Sequence, residues 1–305
     1  MIKTMRKLLK IIRELLILSR PEWGFIFSGV AFMLGLFYLL PATSIIIGWL
    51  SIYAFTCGHF SLNGLFDKES DRINPRSLSL RNPLVNSTLL SPRIIYSWVA
   101  LIWVSGLSLT FLVSNSISKF LLIFITFLLA TGGSFLYSAP PVRLKARPFI
   151  DIITTTLIIG ILFPVWVGLL GNETVVNNKL LFYGIILNIL LVIGIHLPTI
   201  LTDLEIDLET GECTTAVYLG WKKASFFTTF LVIIRIIGFA LINIILMGDG
   251  TLIPSILPFF IGLVELILAL NLAIRRNREA AMVLWKGVII TSIIGGILFG
   301  VLYQA

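Results

Sequence analysis

Charge is scarce in this chain. Only 12% of its 305 residues are Asp, Glu, Lys or Arg, about half the share of an ordinary soluble domain. No polar segment is long enough to bury a core of its own, which argues against a separate soluble domain. Cysteine is nearly absent: Cys57 lies inside an apolar run and Cys213 in a loop, so no disulfide framework is expected. Nor is the N-terminus expected to be a cleaved leader. After Lys3, Arg6, Lys7 and Lys10 no small-residue cleavage site follows, and Arg13 and Arg20 interrupt the apolar stretch.

What is abundant is apolar surface, at 57% of residues. Runs of about 20 apolar residues recur along the whole length, the signature of an all-α, polytopic integral membrane protein. Nine spans are expected, at about 22–40, 43–63, 95–113, 118–137, 150–170, 179–202, 224–247, 252–273 and 281–303. Residues 1–20 alternate Lys or Arg with Leu or Ile at helical spacing, as in a basic amphipathic helix lying on a membrane surface. Residues 1–305 are read as a single transmembrane domain.

Nine spans place the N-terminus and every second connection on one side. Of the 23 Lys and Arg residues, 20 fall there, all but Lys119, Lys179 and Arg235. The positive-inside rule makes that side cytoplasmic and leaves the C-terminus outside. The net charge of +8 is therefore an orientation signal with attraction to anionic lipid, not a nucleic-acid signal.

Two stretches stand out against the apolar background. In Asn63-Gly64-Leu65-Phe66-Asp67-Lys68-Glu69-Ser70-Asp71 three polar side chains recur at steps of four: Asn63, Asp67 and Asp71. Thr199, Asp203 and Asp207 repeat the step at the end of another apolar run. Steps of four put each set on one helix face, a turn apart, and the span order puts both on the cytoplasmic side. Glu69, Glu205 and Glu209 fall off the register or beyond it and are expected to be solvated. A hard cation such as Mg²⁺ prefers carboxylate and phosphate oxygens and often bridges one or two carboxylates to a substrate phosphate. Two such ions would clamp a diphosphate and stabilise the charge it carries as it leaves. Arg72, Arg76, Arg81, Arg143, Lys145 and Lys222 are placed to hold the remaining phosphate oxygens. A diphosphate reached from within lipid is expected to carry a long apolar tail, which points to an isoprenyl diphosphate. The rival reading is a cation-coupled transporter whose two halves each bind the moving ion.

Three ionisable groups lie deeper. His196 shares a face with Thr199 and Asp203 and is expected to be a satisfied helix–helix hydrogen-bonding residue. Arg235 and Glu265 sit at similar depth in spans seven and eight and are expected to pair, because an isolated charge there costs several kcal/mol. Tyr53, Phe55, Phe66, Trp103 and Trp166 are read first as core or lipid-facing residues, and only second as the lining of a prenyl tunnel.

Beyond these chemical arguments, the chain resembles the UbiA superfamily of intramembrane prenyltransferases. Asn63-x3-Asp67-x3-Asp71 resembles its first aspartate-rich motif. Asp203-x3-Asp207 with Gly211, Thr214-Thr215, Ala216-Val217 and Gly220 resembles the second motif and its tail, and Tyr218-x3-Lys222 an element that often follows. Tyr137-Ser138-Ala139-Pro140-Pro141 with Lys145 resembles the loop after span four, and Arg20-Pro21 the start of span one. One departure stands out: where many relatives carry Arg-Pro after the first motif, this chain reads Arg81-Asn82-Pro83-Leu84. The resemblance implies nine transmembrane helices around a central cavity capped by cytoplasmic loops and short helices. It implies two Mg²⁺ ions, one on Asp67 and Asp71 with Asn63 assisting, the other on Asp203 and Asp207. Arg20, Arg76, Arg81, Tyr137, Ser138, Lys145, Tyr218 and Lys222 would contact donor or acceptor. The donor would be a geranyl or geranylgeranyl type of diphosphate, and the acceptor an aromatic quinone precursor or a glycerol lipid.

Overall fold

The computed structural model describes residues 2–73, 82–114, 116–171, 179–247 and 252–304. Among them every regular element is helical: α1 (Ile2–Leu18), α2 (Pro21–Phe37), α3 (Ala42–Phe66), α4 (Lys68–Ile73), α5 (Pro92–Phe111), α6 (Ile117–Ser138), α7 (Ile150–Leu169), α8 (Lys179–Leu201), α9 (Leu204–Thr210), α10 (Thr215–Met247), α11 (Leu252–Arg275) and α12 (Arg278–Gln304). Each of the nine apolar stretches expected from the sequence coincides with one of these helices. Length and apolarity alone qualify six of them as membrane spans among the described residues, or seven if the bent pair Lys3–Leu18 and Pro21–Phe37, at 47°, is one span. The chain divides into two compact units: residues 1–35, 39–143 and 166–173, and residues 36–38, 144–165 and 174–305.

In the first unit local chemistry starts the helices where they begin. Ser91 accepts a hydrogen bond from the Ile94 N–H, with Pro92 in the first turn of α5, and Ser116 does the same for Lys119 at α6. Small residues then let helices meet closely. A Cβ on Gly106 of α5 would lie 2.9 Å from the Ala54 side chain and 3.1 Å from the Ser51 carbonyl of α3. Leu15, Leu18, Leu62, Leu84, Leu90, Ile95 and Val99 form a buried cluster joining α1, α3, α5 and the 3₁₀ turn Pro83–Val85. An adjacent face of α1 leaves Met5, Leu8, Leu9, Ile12 and Leu16 exposed. Phe55 stacks on Trp103 and meets Trp166 edge-on, so these rings are core. Lys119, one of the few off-side basic residues, donates from Nζ to the Gly171 carbonyl at 2.6 Å, satisfying both a buried ammonium and a chain carbonyl beyond the end of α7.

The second unit packs α8, α10, α11 and α12 around an alanine-rich core that includes Ala216, Ala224, Ala269, Ala280, Ala281, Leu272 and Leu284. Small side chains suit close helix contact in lipid, where burial of apolar surface gives no advantage over lipid contact. A π-helical stretch, Thr156–Leu162, interrupts α7, and the Asn188 side chain of α8 donates to its Ile159 carbonyl. Gly220, at φ 66° and ψ 167°, breaks the helical geometry inside α10, a conformation glycine reaches without strain. Deeper in this unit Arg235 and Glu265 pair as expected. Arg235 donates from Nε to Glu265 Oε2 and from a terminal nitrogen to Oε1, both at 2.8 Å, and also to Ser292 Oγ at 2.9 Å. Thr291 Oγ1 donates to Glu265 as well.

Candidate active site

The first acidic register is present in full. α3 ends at Phe66, and Asp67 leaves helical geometry at φ −93° and ψ 7°. The bonding ladder nonetheless continues: the Asp67 N–H donates to the Asn63 carbonyl at 2.8 Å and the Asp71 N–H to the Asp67 carbonyl at 2.7 Å. The three side chains therefore share one face across the junction of α3 and α4. Asp67 is buried, and Arg143 donates to its Oδ1 at 3.1 Å. Arg143 sits at φ 39°, and its guanidinium also lies 3.4 Å from the Phe66 and Ser138 carbonyls. Arg20 bridges from the α1–α2 corner to Asp71 Oδ2 at 3.7 Å and lies over the Phe60 ring. Ser138 Oγ donates to Asn63 Oδ1 at 3.0 Å. Glu69 is exposed, with Arg72 at 2.9 Å. Arg76 and Arg81 lie outside the described residues.

Two residues of this site escaped the sequence reading. His59 stands one turn before Asn63 on α3, and its Nδ1 shares a 2.6 Å hydrogen bond with Ser134 Oγ. This repeats the Asn63–Ser138 pair one turn along both helices, and the Tyr137 ring lies 6.0 Å from the imidazole. The step of four from Asn63 back to His59 was the available signal. The other is Asn82, whose side chain reaches Asp71.

In the second unit the register is shorter than expected. The Asp207 N–H donates to the Asp203 carbonyl at 2.9 Å, but the Asp203 N–H bonds Ile200 at 3.1 Å rather than Thr199. The chain tightens to a three-residue step between α8 and α9, and the Thr199 hydroxyl turns back to the Ile195 carbonyl, so Thr199 drops out of the set. Asp203 precedes α9, and Gly211 closes that helix at φ 73°. Thr214 Oγ1 donates to Asp207 Oδ2 at 3.1 Å. Burial, reinforced by the nearby charges of Asp203 and Glu212, pushes the Asp207 carboxyl up to about 7. Lys145 bridges to Glu212 at 3.7 Å. Glu205 and Glu209 are exposed. Tyr218 is exposed with its ring against Phe149, and Lys222 is exposed.

Asp151 was also missed. Fully buried at the start of α7, it accepts from the Thr215 N–H at 2.9 Å and from the Thr215 hydroxyl, tying the second motif's tail to α7. His196 departs from expectation, because its buried Nε2 has no hydrogen-bond partner among the described residues.

Both acidic pairs suit a hard divalent cation. Their donors are all oxygens, and the repulsion that raises Asp207 is what a cation would relieve. Among the described residues no group of three or more His, Cys, Asp or Glu gathers. Each pair would supply at most two carboxylates to a cation, the other ligands coming from elsewhere, as in Mg²⁺ sites on nucleotides and diphosphates.

A model of the UbiA prenyltransferase family matches residues 23–293. The lycopene elongase/hydratase of Corynebacterium glutamicum is 33% identical over 152 residues, 48% of this chain and 49% of that protein. The chain thus spans about half the length of the curated relatives it matches. A UbiA homologue from Archaeoglobus fulgidus bound to GPP and Mg²⁺ superposes with a TM-score of 0.64 at 21% identity, over 93% of this chain and 98% of that one. The apo UbiA homologue from Aeropyrum pernix K1 gives 0.68 at 19% identity, over 92% and 98%. At such identities the structural likeness is one of fold.

Proposed function

Because the chain belongs to the UbiA prenyltransferase family, we propose that it moves an isoprenyl chain from a prenyl diphosphate to an acceptor within the membrane and releases diphosphate. The observation that carries this reading is one acidic step, Asp-x3-Asp, repeated just beyond the ends of α3 and α8, each pair set among hydrogen-bond donors. Asp67 and Asp71 serve one Mg²⁺ and Asp203 and Asp207 a second, with Asn63 assisting the first pair. A metal held there would supply positive charge to offset that of the diphosphate leaving group. Arg20, Arg76, Arg81, Lys145 and Lys222, joined by Arg143, neutralise the remaining phosphate charge, and Tyr137, Ser138 and Tyr218 contact donor or acceptor. GPP in the Archaeoglobus homologue supports a geranyl or geranylgeranyl type of donor. The acceptor is an aromatic ring or a glycerol lipid, and the name of the Corynebacterium relative adds a long hydrocarbon. In this reading all nine apolar helices cross the membrane, α1 lies on its inner surface, and the loops carrying the acidic pairs face the cytoplasm.

The test is pyrophosphate release by the full chain in lipid nanodiscs, with geranyl diphosphate, Mg²⁺ and an acceptor of each class in turn. Release should require Mg²⁺ and fall by about 100-fold or more in Asp67→Ala and in Asp203→Ala. A cation-coupled transporter would instead move its ion without consuming prenyl diphosphate, and that outcome overturns the proposal.

A further inference from the structure

Asn82 lies in the loop that follows the first acidic motif. In the structure it is 3% exposed, and its amide makes three hydrogen bonds. Nδ2 donates to the Asp71 carboxylate at 2.8 Å and to the Gly64 carbonyl at 2.7 Å, while Oδ1 accepts from the Leu84 N–H at 3.1 Å. Only one orientation of the amide is compatible with these neighbours. Two acceptors face the nitrogen and one donor faces the oxygen, so a flip would set like against like three times. At Gly64 of α3 a Cβ would sit 2.7 Å from the tip of Leu18, which would have to shift, and 3.5 Å from Asn82 Nδ2, an ordinary contact. Leu84, held by the Asn82 oxygen, anchors the loop in the buried cluster with Leu15, Leu18 and Leu62.

We propose that Asn82 is the positioning residue of the first acidic pair: a neutral, buried amide that fixes one oxygen of Asp71 against the end of α3 and leaves the carboxylate's charge for a cation. The inference rests on reading Asp71 as a cation ligand. The physical logic is a division of labour. α4 has only six residues and no buried side chain of its own, so contacts from outside the helix hold Asp71 in place. Arg20 comes to the same Asp71 oxygen at 3.7 Å, an ion pair longer than a hydrogen bond, so it adds charge beside the carboxylate while the Asn82 amide at 2.8 Å orients it. An amide orients without neutralising. It holds Asp71 through a hydrogen bond to a charged group, the stronger class of such bonds.

Binding of Mn²⁺, followed by the loss of its free-ion electron paramagnetic resonance signal, tests this without turnover. It is measured on the full chain in nanodiscs carrying Asp203→Asn and Asp207→Asn, so that the first pair alone is read. Asn82→Leu should weaken Mn²⁺ binding about tenfold, and in an Asp71→Asn background it should add nothing. A residue that merely supports the fold would weaken binding equally in both backgrounds, and that result overturns the proposal. Unchanged binding in Asn82→Leu also overturns it, whereas unchanged binding in Asp71→Asn removes the metal reading beneath it. Should Asn82→Leu not fold, Asn82→Asp gives a second readout. It keeps the shape and the bond from Leu84 but sets a second anion beside Asp71. Its thermal midpoint should lie below that of the parent chain without ion and recover by a larger shift when Mn²⁺ is added; equal shifts in the two proteins overturn the proposal.

Discussion

Asp207 combines burial, two acidic neighbours and one hydroxyl donor, and the balance sets its titration. Its ordinary value is 3.8, and in the folded chain it is pushed up to about 7. Between those limits the folded state holds a proton that the unfolded state has lost, so the stability this group contributes falls as pH rises through that window. Cation binding needs the carboxylate and has the opposite slope. The Mg²⁺ concentration for half-saturation of the second pair should therefore drop steeply as pH rises from about 6 to about 7 and level off above. Asp207→Asn should flatten that dependence, and a steep profile surviving in Asp207→Asn would contradict it. At the first pair Arg143 occupies an oxygen of Asp67 that a cation would also use. Arg143→Met should tighten divalent-ion binding a few-fold while weakening binding of a prenyl diphosphate, a split readable by calorimetry with each ligand separately. The acidic residues were legible in the sequence because a step of four survives the α3–α4 junction. Asn82 and Asp151 were not, because each acts across 11 and 64 residues of sequence, respectively, and no local pattern marks such a partnership.

Among the elements, the helices themselves were the most legible feature, since runs of about 20 apolar residues mark where they lie. The break at Gly220, the π stretch in α7 and the tightened turn that excludes Thr199 were not. They depend on local backbone conformation and on side chains such as Asn188 that arrive from another helix. The Arg235–Glu265 pair is the exception, a tertiary contact read correctly from depth alone. It is buried and doubly hydrogen-bonded, so breaking it strands a charge: Arg235→Met or Glu265→Gln should each destabilise the second unit by about 3–5 kcal/mol. Exchanging the two, Arg235→Glu with Glu265→Arg, should recover part of the loss in a detergent unfolding assay. Recovery will be incomplete, because Gly194 leaves space shaped for this arginine: a Cβ there would stand 2.6 Å from Arg235 Cδ. A double variant less stable than both singles would show that the pairing does not hold the helices together.

For the whole molecule, the bias of basic residues leads us to propose that the N-terminus and both acidic loops face the cytoplasm. The chain carries its own probe of this orientation. Cys213, just beyond α9, is exposed, whereas Cys57 is buried within α3. A membrane-impermeant maleimide should label Cys213 in inverted vesicles and leave intact cells unlabelled; labelling from outside would reverse the topology. Composition made the membrane class and helical architecture plain, and family membership followed from motif order. Which acceptor is used was not legible, because shape complementarity to a hydrocarbon leaves no short polar motif.

The most direct measurement is the number of divalent ions bound per chain in the presence of a non-hydrolysable geranyl diphosphate analogue. The account predicts two with all carboxylates present and one after loss of either pair, the analogue binding more weakly in both variants. If the analogue binds undiminished when Asp203 and Asp207 are replaced, or no ion is lost with them, the two motifs do not serve one diphosphate and the account is wrong.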